Sequence, residues 1–409
     1  MAFLHGIEHL NIQSDFQPVN YPVTAVIGLV GTADSLFMSK VGGWEANVVY
    51  LCSSEKDDAK FGKKGTIPES LKAIRMQASR RGSALVFVVA VCDDQLTPVT
   101  AQMIVGTVSS TGQRTGLELF ATILGQYGYE PMILIAPHFS SMSGVRDKLQ
   151  AMSAEKEVMA YIDTPDNMTF TQALTSRGTT GEFANLDEGQ KLLFPHFLVA
   201  NPLYVDDTTT PTEPKTISQP MSAFMAGLRA KVDLEKGWHV SSSNHRVYGV
   251  DGMDVNLVFS LGDTAAETNR LNAVGITTAV SMFGNGIVEW GNYTTGFPGN
   301  QSPEAFESVR RTRAIMKRAI EQACIPFIDR PLNQANIDSI RNTVNQFLNG
   351  LMGRNIIVFG KCLYRKESNP VGQLALGHIT FDIEWTPAIP MQRLTFTYKI
   401  DLNQLSNLA

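Results

Sequence analysis

The sequence predicts a protein of several domains, which combines an α/β sheet region with a C-terminal α+β core domain and extended β-strand arms at both ends. Three observations support this fold class. Apolar strands alternate with helices between residues 66 and 175, which indicates a mostly parallel sheet. The last strands alternate apolar and polar residues with a period of two, which is typical of half-buried strands. The 409 residues leave room for two or three domains.

Residues 1–21 form a predicted N-terminal arm, in which only Leu10 and Ile12 suggest a strand edge. Residues 22–215 are the predicted α/β region, including a variable outer part, and end in a Thr- and Pro-rich loop. Its predicted strands are Val23–Val30, Ala84–Val91, Pro131–Ala136, Val158–Ile162 and Phe194–Val199, and its predicted helices are Glu69–Arg80, Gly116–Gln126 and Val145–Glu155.

Residues 216–391 form the predicted C-terminal core domain. Its first helix, Met221–Lys236, repeats apolar residues at the spacing that places one stripe against a core. Ser218 is the predicted N-cap, and Gly237 is the predicted left-handed end. The further predicted elements are apolar segments at Val255–Leu261 and Ala273–Val280, helices at Pro303–Ala323 and Gln334–Leu351, and strands at Ile356–Tyr364 and Ile379–Trp385.

Residues 392–409 form a predicted C-terminal arm. The Pro-containing connector Thr386–Pro390 cannot continue a helix and fits poorly into a central strand, so the final strand is set apart from the domain before it. One face of this strand is apolar and consists of Leu394, Phe396, Tyr398, Ile400 and Leu402. The pattern leaves two interpretations open: an edge strand in the chain's own sheet, or a strand donated to a neighbouring subunit.

The predicted helix Pro303–Ala323 concentrates positive charge in an acidic chain. Its cations are Arg310, Arg311, Arg313, Lys317 and Arg318. Arg311 and Arg318 are seven residues apart and are expected to form a row on the exposed side of the helix. This ridge is either a solvated face that pairs with acids of the same chain, or a docking surface for an acidic partner.

No motif predicts catalysis, a cofactor or a metal site. His239 and His245 could in principle belong to a triad or a metal site, but a capped turn after the helix explains them better. Residues 62–66 lack the upstream glycine of a phosphate-binding loop. A net charge of -5 argues against non-specific nucleic-acid binding, and neither a signal peptide nor a membrane span is expected. The four scattered cysteines are expected to be reduced thiols.

Four segments resemble, in the same order, the C-terminal half of the sheath proteins of contractile phage tails and phage-tail-like bacteriocins. They are Gly227–Asp233, Gly237–Trp238, Leu271–Thr277 and Trp290–Thr294. The resemblance is strongest from about residue 220 to the C-terminus and weak across residues 40–110. It implies a structural subunit, not an enzyme, that polymerises helically around an inner tail tube and contracts to drive the tube through a bacterial envelope.

The resemblance also implies partners and sites. The terminal arms, including Leu10 and Ile12, would link neighbouring copies, which favours strand donation by the C-terminal arm. A helix of the C-terminal domain would face the tube, and Pro303–Ala323 is the candidate. The expected partners are further copies in stacked hexameric rings, the inner tube protein, and baseplate and tail terminator proteins, without direct nucleic-acid contact or membrane insertion. Assembly would take place in the host bacterial cytoplasm, before the virion tail or a released particle forms. The alternative is an α/β enzyme or ligand-binding protein with an unrecognised site.

Overall fold

The main feature of the fold is a large mixed sheet, accompanied by two smaller sheets. The computed structural model describes residues 23–96, 98–202, 204 and 213–403. The strands of this part of the chain are β1 (Val26–Ala33), β2 (Val49–Cys52), β3 (Leu85–Asp93), β4 (Ile133–Ile135), β5 (Met159–Asp163), β6 (Gln190–Leu193), β7 (Phe197–Ala200), β8 (Thr216–Gln219), β9 (Gly252–Met253), β10 (Ile276–Ser281), β11 (Ile287–Trp290), β12 (Ile357–Leu363) and β13 (Asp382–Pro387).

Helices connect most of these strands and cover both faces of the large sheet. The α-helices of the described residues are α1 (Glu55–Asp58), α2 (Thr66–Met76), α3 (Ala101–Val105), α4 (Ile123–Tyr127), α5 (Ser143–Lys156), α6 (Phe170–Ser176), α7 (Met221–Glu235), α8 (Glu267–Asn272), α9 (Glu307–Cys324), α10 (Gln334–Gly353) and α11 (Val371–Ala375). A 3-10 turn, Pro303–Ala305, comes before α9.

The large sheet has eight strands, in the order β11-β10-β6-β5-β4-β1-β3-β2. Its six inner strands are parallel, and the edge strands β2 and β11 are antiparallel to their neighbours. All eight residues of β1 are buried, as expected for a parallel strand covered by helices on both faces. Ile27 and Leu29 face the core under α2 and α7, whereas Val26 and Val30 face the core under α3, α5, α6 and α8. We call this sheet and its covering helices the sheet body.

The predicted alternation of helices and strands is confirmed, with local differences. The predicted helix Gly116–Gln126 is mostly a 3-10 turn, Gly116–Thr122, followed by the short α4. The predicted strand Phe194–Val199 is displaced, because the residues that join the large sheet are those of β6, whereas β7 pairs with β8 and β9 in a three-stranded sheet. Ser218 lies in β8 and not at the helix N-cap, where Pro220 stands.

The large sheet extends past residue 215, where the α/β region was predicted to end. β10 pairs with β6, and β11 pairs with β10, so two strands of the predicted C-terminal domain complete the sheet body. The apolar segment Val255–Leu261 forms no strand, and Val255 and Leu257 instead pack against the core under α8. Sequence periodicity could not reveal this pairing, because it depends on residues far apart in the chain.

The chain ends in a small α+β layer, which we call the terminal unit. α10 packs on the antiparallel hairpin of β12 and β13, and the C-terminal half of α9 joins them. Its core includes Phe347, Leu348 and Leu351 from α10 and Met316 and Ala319 from α9. α9 therefore connects the terminal unit to the sheet body.

Candidate assembly surfaces

The first turn of α9 enters a buried charge network in the sheet body. The carboxylate of Glu307 accepts hydrogen bonds from the Lys191 ammonium at 2.6 Å and from the Tyr161 hydroxyl at 2.5 Å. Lys191 also pairs with Glu289 on β11. The side chains of Lys191, Glu289 and Glu307 are each at most 3% exposed. These contacts join α9 to three strands of the sheet.

A second set of buried charges joins α9 to α7. Asp233 accepts from Arg229, one turn earlier on α7, at 2.9 Å, and also pairs with Arg311 of α9. Side-chain exposure does not exceed 1% for any of these three residues. Three cations and three carboxylates are thus enclosed between the sheet, α7 and α9, which balances the charge of the network.

The network strongly favours the ionised form of Glu307. Burial alone opposes ionisation of Glu307, but the charges of Lys191, Arg229 and Arg311 outweigh it and lower the Glu307 pKa to about 2. The same carboxylates raise the pKa of Lys191 despite its burial. Glu307 and Lys191 thus stabilise each other's charged form.

The prediction that Arg311 and Arg318 form an exposed row on α9 is wrong. Arg311 is buried against Asp233, and the Arg318 side chain is 11% exposed and donates to Glu130 at 2.7 Å. The reason is that acids from distant parts of the chain lie opposite this face of the helix. The alternative of pairing with acids of the same chain describes the helix better, although the buried pairs are not solvated.

The other three cations of the predicted ridge also have partners in the same chain. Arg310 is buried and lies 3.8 Å from Glu188, and Arg313 bonds to Glu304 at 2.5 Å. Lys317 pairs with Glu157 at 2.9 Å, but its side chain is 53% exposed. Among the five predicted tube-facing residues, Lys317 is thus the most accessible to a partner.

The described part of the C-terminal arm is exposed. Residues 391–401 belong to no helix or strand of the described chain, so the interpretation as an edge strand in the chain's own sheet is wrong. The apolar face predicted from the sequence faces solvent, with exposed fractions of 68% for Leu394, 74% for Phe396, 93% for Tyr398, 85% for Ile400 and 68% for Leu402. Leu10 and Ile12 lie outside the described residues.

The terminal unit presents a two-stranded sheet with apolar residues near its edge. Within the described residues β12 pairs only with β13, so the outer edge of each strand carries no ladder. Val358 is 67% exposed and Phe359 is 44% exposed, although both belong to β12. An unpaired edge of this kind can accept a further strand.

His239 and His245, which the sequence offered for a triad or a metal site, lie in the turns after α7. His245 contacts the Lys236 ammonium at 2.8 Å and the carbonyl oxygens of Ser242 and Ser243, as expected for a turn. Burial lowers the pKa of both His239 and His245. No group of three or more metal-ligating side chains occurs among the described residues. Nor does this part of the chain contain a helix long and apolar enough to cross a membrane.

Known proteins resemble this chain in sequence and in fold. The family described as phage tail sheath protein central domain matches residues 112–295. The tail sheath protein of Burkholderia phage BcepMu is 36% identical over 76% of this chain and 64% of its own length. The tail sheath protein of Escherichia phage P2 is 28% identical over 99% of this chain and 97% of its own length. The chain belongs to the contractile tail sheath family. The predicted resemblance is confirmed.

The fold of this sheath protein agrees with a solved sheath. The helical sheath of the anti-feeding prophage in its contracted state superposes with a TM-score of 0.68 at 15% identity, covering 98% of this chain and 100% of that chain. The mixed, multi-domain fold is thereby confirmed. The alignment with the BcepMu protein spans less than two thirds of that relative. Family membership identifies a structural sheath protein.

The buried charge network was not predicted from the sequence. The cations of α9 were singled out, but not their acidic partners, which lie on α7, in loops of the sheet body and in the turn before α9. One signal in the sequence could have indicated the network. Lys191 is the only charged residue within Gln190–Leu193, and Glu289 is the only one within Ile287–Trp290. A charge in a strand of this kind indicates a buried partner.

Proposed function

We propose that this sheath protein polymerises helically around an inner tail tube and contracts to drive that tube through a bacterial envelope. The observation that carries the proposal is the solvent-exposed apolar face of the C-terminal arm. A single copy leaves Phe396, Tyr398 and Ile400 each more than 70% exposed. A contiguous apolar face that is exposed to solvent indicates a contact with another molecule.

The arm is proposed to add a strand to the β12–β13 hairpin of a neighbouring copy. The hairpin has the unpaired edges that such strand addition requires, and Val358 and Phe359 add apolar contact surface. The predicted connector begins inside the hairpin, because Thr386 and Pro387 are the last residues of β13, and the chain after them leads into the arm without a further helix or strand up to residue 401. The N-terminal arm, with Leu10 and Ile12, is proposed to link copies in the same way.

The energetics favour cooperative assembly over a tight dimer. Burial of five apolar side chains, at about 1.5–3 kcal/mol each, gives roughly 7–15 kcal/mol. Ordering about nine backbone residues costs on the order of 1–2 kcal/mol each, which is a comparable sum. One arm alone is therefore marginal, whereas the high effective concentration of sites in a lattice favours docking.

Further partners are proposed from family membership. They are the inner tube protein, and baseplate and tail terminator proteins at the ends of the sheath, with assembly in the host cytoplasm. The tube contact is proposed to use the exposed side of α9 around Lys317, because the buried arginines of that helix cannot reach a partner. An exposed lysine suits a contact that must be released on contraction, since exposed ion pairs are weak.

Truncation of the C-terminal arm tests the proposal. Removal of residues 394–409 is expected to leave a folded, soluble chain that forms no tubes, because the apolar side chains of residues 394–402 are exposed in a single copy. Negative-stain microscopy and sedimentation would measure assembly, and circular dichroism would report the fold.

A matched pair of full-length variants separates the two faces of the arm. Replacing Phe396, Tyr398 and Ile400 by Ser is expected to abolish tubes, whereas replacing Thr395 and Thr397 by Ser on the opposite face is expected to preserve them. Normal tubes from the truncated chain or from the triple variant would contradict the proposed linkage.

A further inference from the structure

A groove of about 570 Å³ lies beside α2, on the face of the sheet covered by α2 and α7. Its apolar wall includes Val199, Ile217 and Phe224. Side chains of this kind line sites that exclude water from a bound segment. The groove therefore offers both depth and apolar surface to a binding partner.

The rim of this groove is positively charged. Lys63 and Lys64 come just before α2 and Lys72 lies on it, and all three are exposed. They form no ion pair with any residue of the described chain. The acid in the lining, Glu69, already bonds to His138 at 2.5 Å. A locally positive groove in a chain of net charge -5 indicates an acidic occupant.

The opposite face of the sheet carries an exposed acidic segment. Residues 255–269 contain two carboxylates, Asp263 and Glu267, and neither lysine nor arginine. The first part of this stretch, residues 255–263, which we call the acidic segment, forms no helix or strand. It is anchored where Phe259 packs on the ring of Trp290 with centroids 5.4 Å apart. Val258 is 61% exposed, Leu261 is 62% exposed, and Asp263 is exposed as well.

We propose that the groove beside α2 binds the acidic segment of a second copy of this chain. The chemistry of the two surfaces is complementary, because the segment presents apolar side chains next to Asp263 and the groove presents an apolar wall next to three lysines. The inference rests on the proposed function, since it assigns a contact within the polymer.

The acidic segment of one copy cannot fill the groove of that same copy, because the two surfaces lie on opposite faces of the sheet. The groove lies over the core that contains Ala73 and Phe224, whereas Val255 and Leu257 anchor the segment to the core on the other face of the sheet. A contact between two different patches is heterologous, and repetition of such a contact produces a ring or an open helical array. The contact thus fits a polymer and not a closed dimer.

Cross-linking of the assembled wild-type protein tests the contact directly. A carbodiimide joins a lysine amine to a carboxylate without a spacer, and mixed tubes of light and 15N-labelled copies distinguish bonds between copies from bonds within one. The expected result is mixed-isotope peptide pairs that link Lys63, Lys64 or Lys72 to Asp263. Tubes whose groove lysines link to other carboxylates, or to none, would overturn the proposal.

Charge reversal provides a second test. Lys64→Glu with Lys72→Glu is expected to raise the protein concentration needed for assembly by about tenfold or more, because like charges would then face each other across the contact. Lys40→Glu with Lys56→Glu changes the net charge by the same amount on exposed lysines outside the groove, and is expected to assemble like the wild type. Equal assembly of the two double variants would contradict the groove contact. Failure of the wild-type chain to form tubes would instead contradict the proposed function.

Discussion

Asp233 holds two arginines at the point where α7 meets α9. It accepts hydrogen bonds from Arg229 and is the carboxylate that pairs with Arg311. All three groups are buried, so each charge depends on the others for compensation. The two partners are therefore not equivalent: loss of the shared carboxylate exposes two charges to an apolar interior, whereas loss of one arginine leaves the acid paired.

This asymmetry predicts an order of stability. Asp233→Asn is expected to lower the free energy of unfolding by about 3–5 kcal/mol, because it leaves two buried guanidinium groups without a carboxylate. Arg311→Met is expected to cost about 1–3 kcal/mol, since Arg229 still compensates Asp233. Urea unfolding monitored by circular dichroism would measure both. A larger loss for Arg311→Met would show that the acid is not the centre of the network.

Glu307 predicts how stability changes with pH. Its pKa is about 2 in the folded chain, against 4.5 for an unperturbed glutamate, so its ionisation stabilises the fold above about pH 4.5. This stabilisation, on the order of 3 kcal/mol, is lost as the pH falls from about 4.5 towards 2. Glu307→Gln is therefore expected to be less stable than the wild type at pH 7, with a difference that shrinks in acid. A difference that stays constant between pH 7 and pH 3 would refute the assignment.

The sequence showed which charges lie on α9 but not what they face. Helical spacing correctly places Arg311 and Arg318 on one side of the helix, and that side is defined relative to the helix alone. Whether it meets water or protein depends on Asp233 and Glu130, which are distant in the chain. Local periodicity cannot carry this information. The apolar alternation of the C-terminal arm was visible because it is a property of consecutive residues.

At the scale of elements, the crossing of α2 and α7 depends on one glycine. A Cβ atom added to Gly227 of α7 would lie 2.9 Å from Ile74 Cα and 2.9 Å from Gln77 Cγ on α2. The backbone atom cannot move away unless the helix moves. Gly227 therefore permits the close approach of the two helices that cover one face of the sheet, which gives a packing reason for a glycine inside a helix.

Replacement of this glycine is expected to reverse the usual effect of alanine in a helix. Gly227→Ala is expected to destabilise the chain by about 1–3 kcal/mol through overpacking. Gly350→Ala on α10, where an added Cβ meets nothing within 4 Å, is the matched control and is expected to stabilise it by about 0.5–1 kcal/mol. Thermal unfolding of both variants measures the contrast. Stabilisation by Gly227→Ala would show that the helices can separate without loss.

The alternation of elements was predictable, whereas the extent of the sheet was not. Residues 66–175 show strands and helices in local patterns, and the structure confirms both types with shifted ends. The large sheet crosses the predicted domain boundary at residue 215, because β10 pairs with β6 from the preceding region. Pairing between distant strands depends on the whole chain, and no window of the sequence records it.

The whole molecule combines a sheet body held by buried charges with a terminal unit whose described hairpin has unpaired outer edges. The buried charges of α9 join the terminal unit to the sheet body, while the outer edges of the described hairpin carry no ladder and the apolar side chains of residues 394–402 are exposed. We therefore expect copies to rearrange at the contacts between them and not inside the sheet body. This division suits a sheath, whose subunits must remain connected while the lattice changes shape.

The most direct test of the account is a helical reconstruction of assembled tubes by cryo-electron microscopy. The account predicts that residues 394–402 of one copy form a strand along the β12–β13 hairpin of a neighbour, with Phe396, Tyr398 and Ile400 facing apolar surface. Tubes in which the arm remains exposed, or folds back onto its own copy, would contradict the central claim.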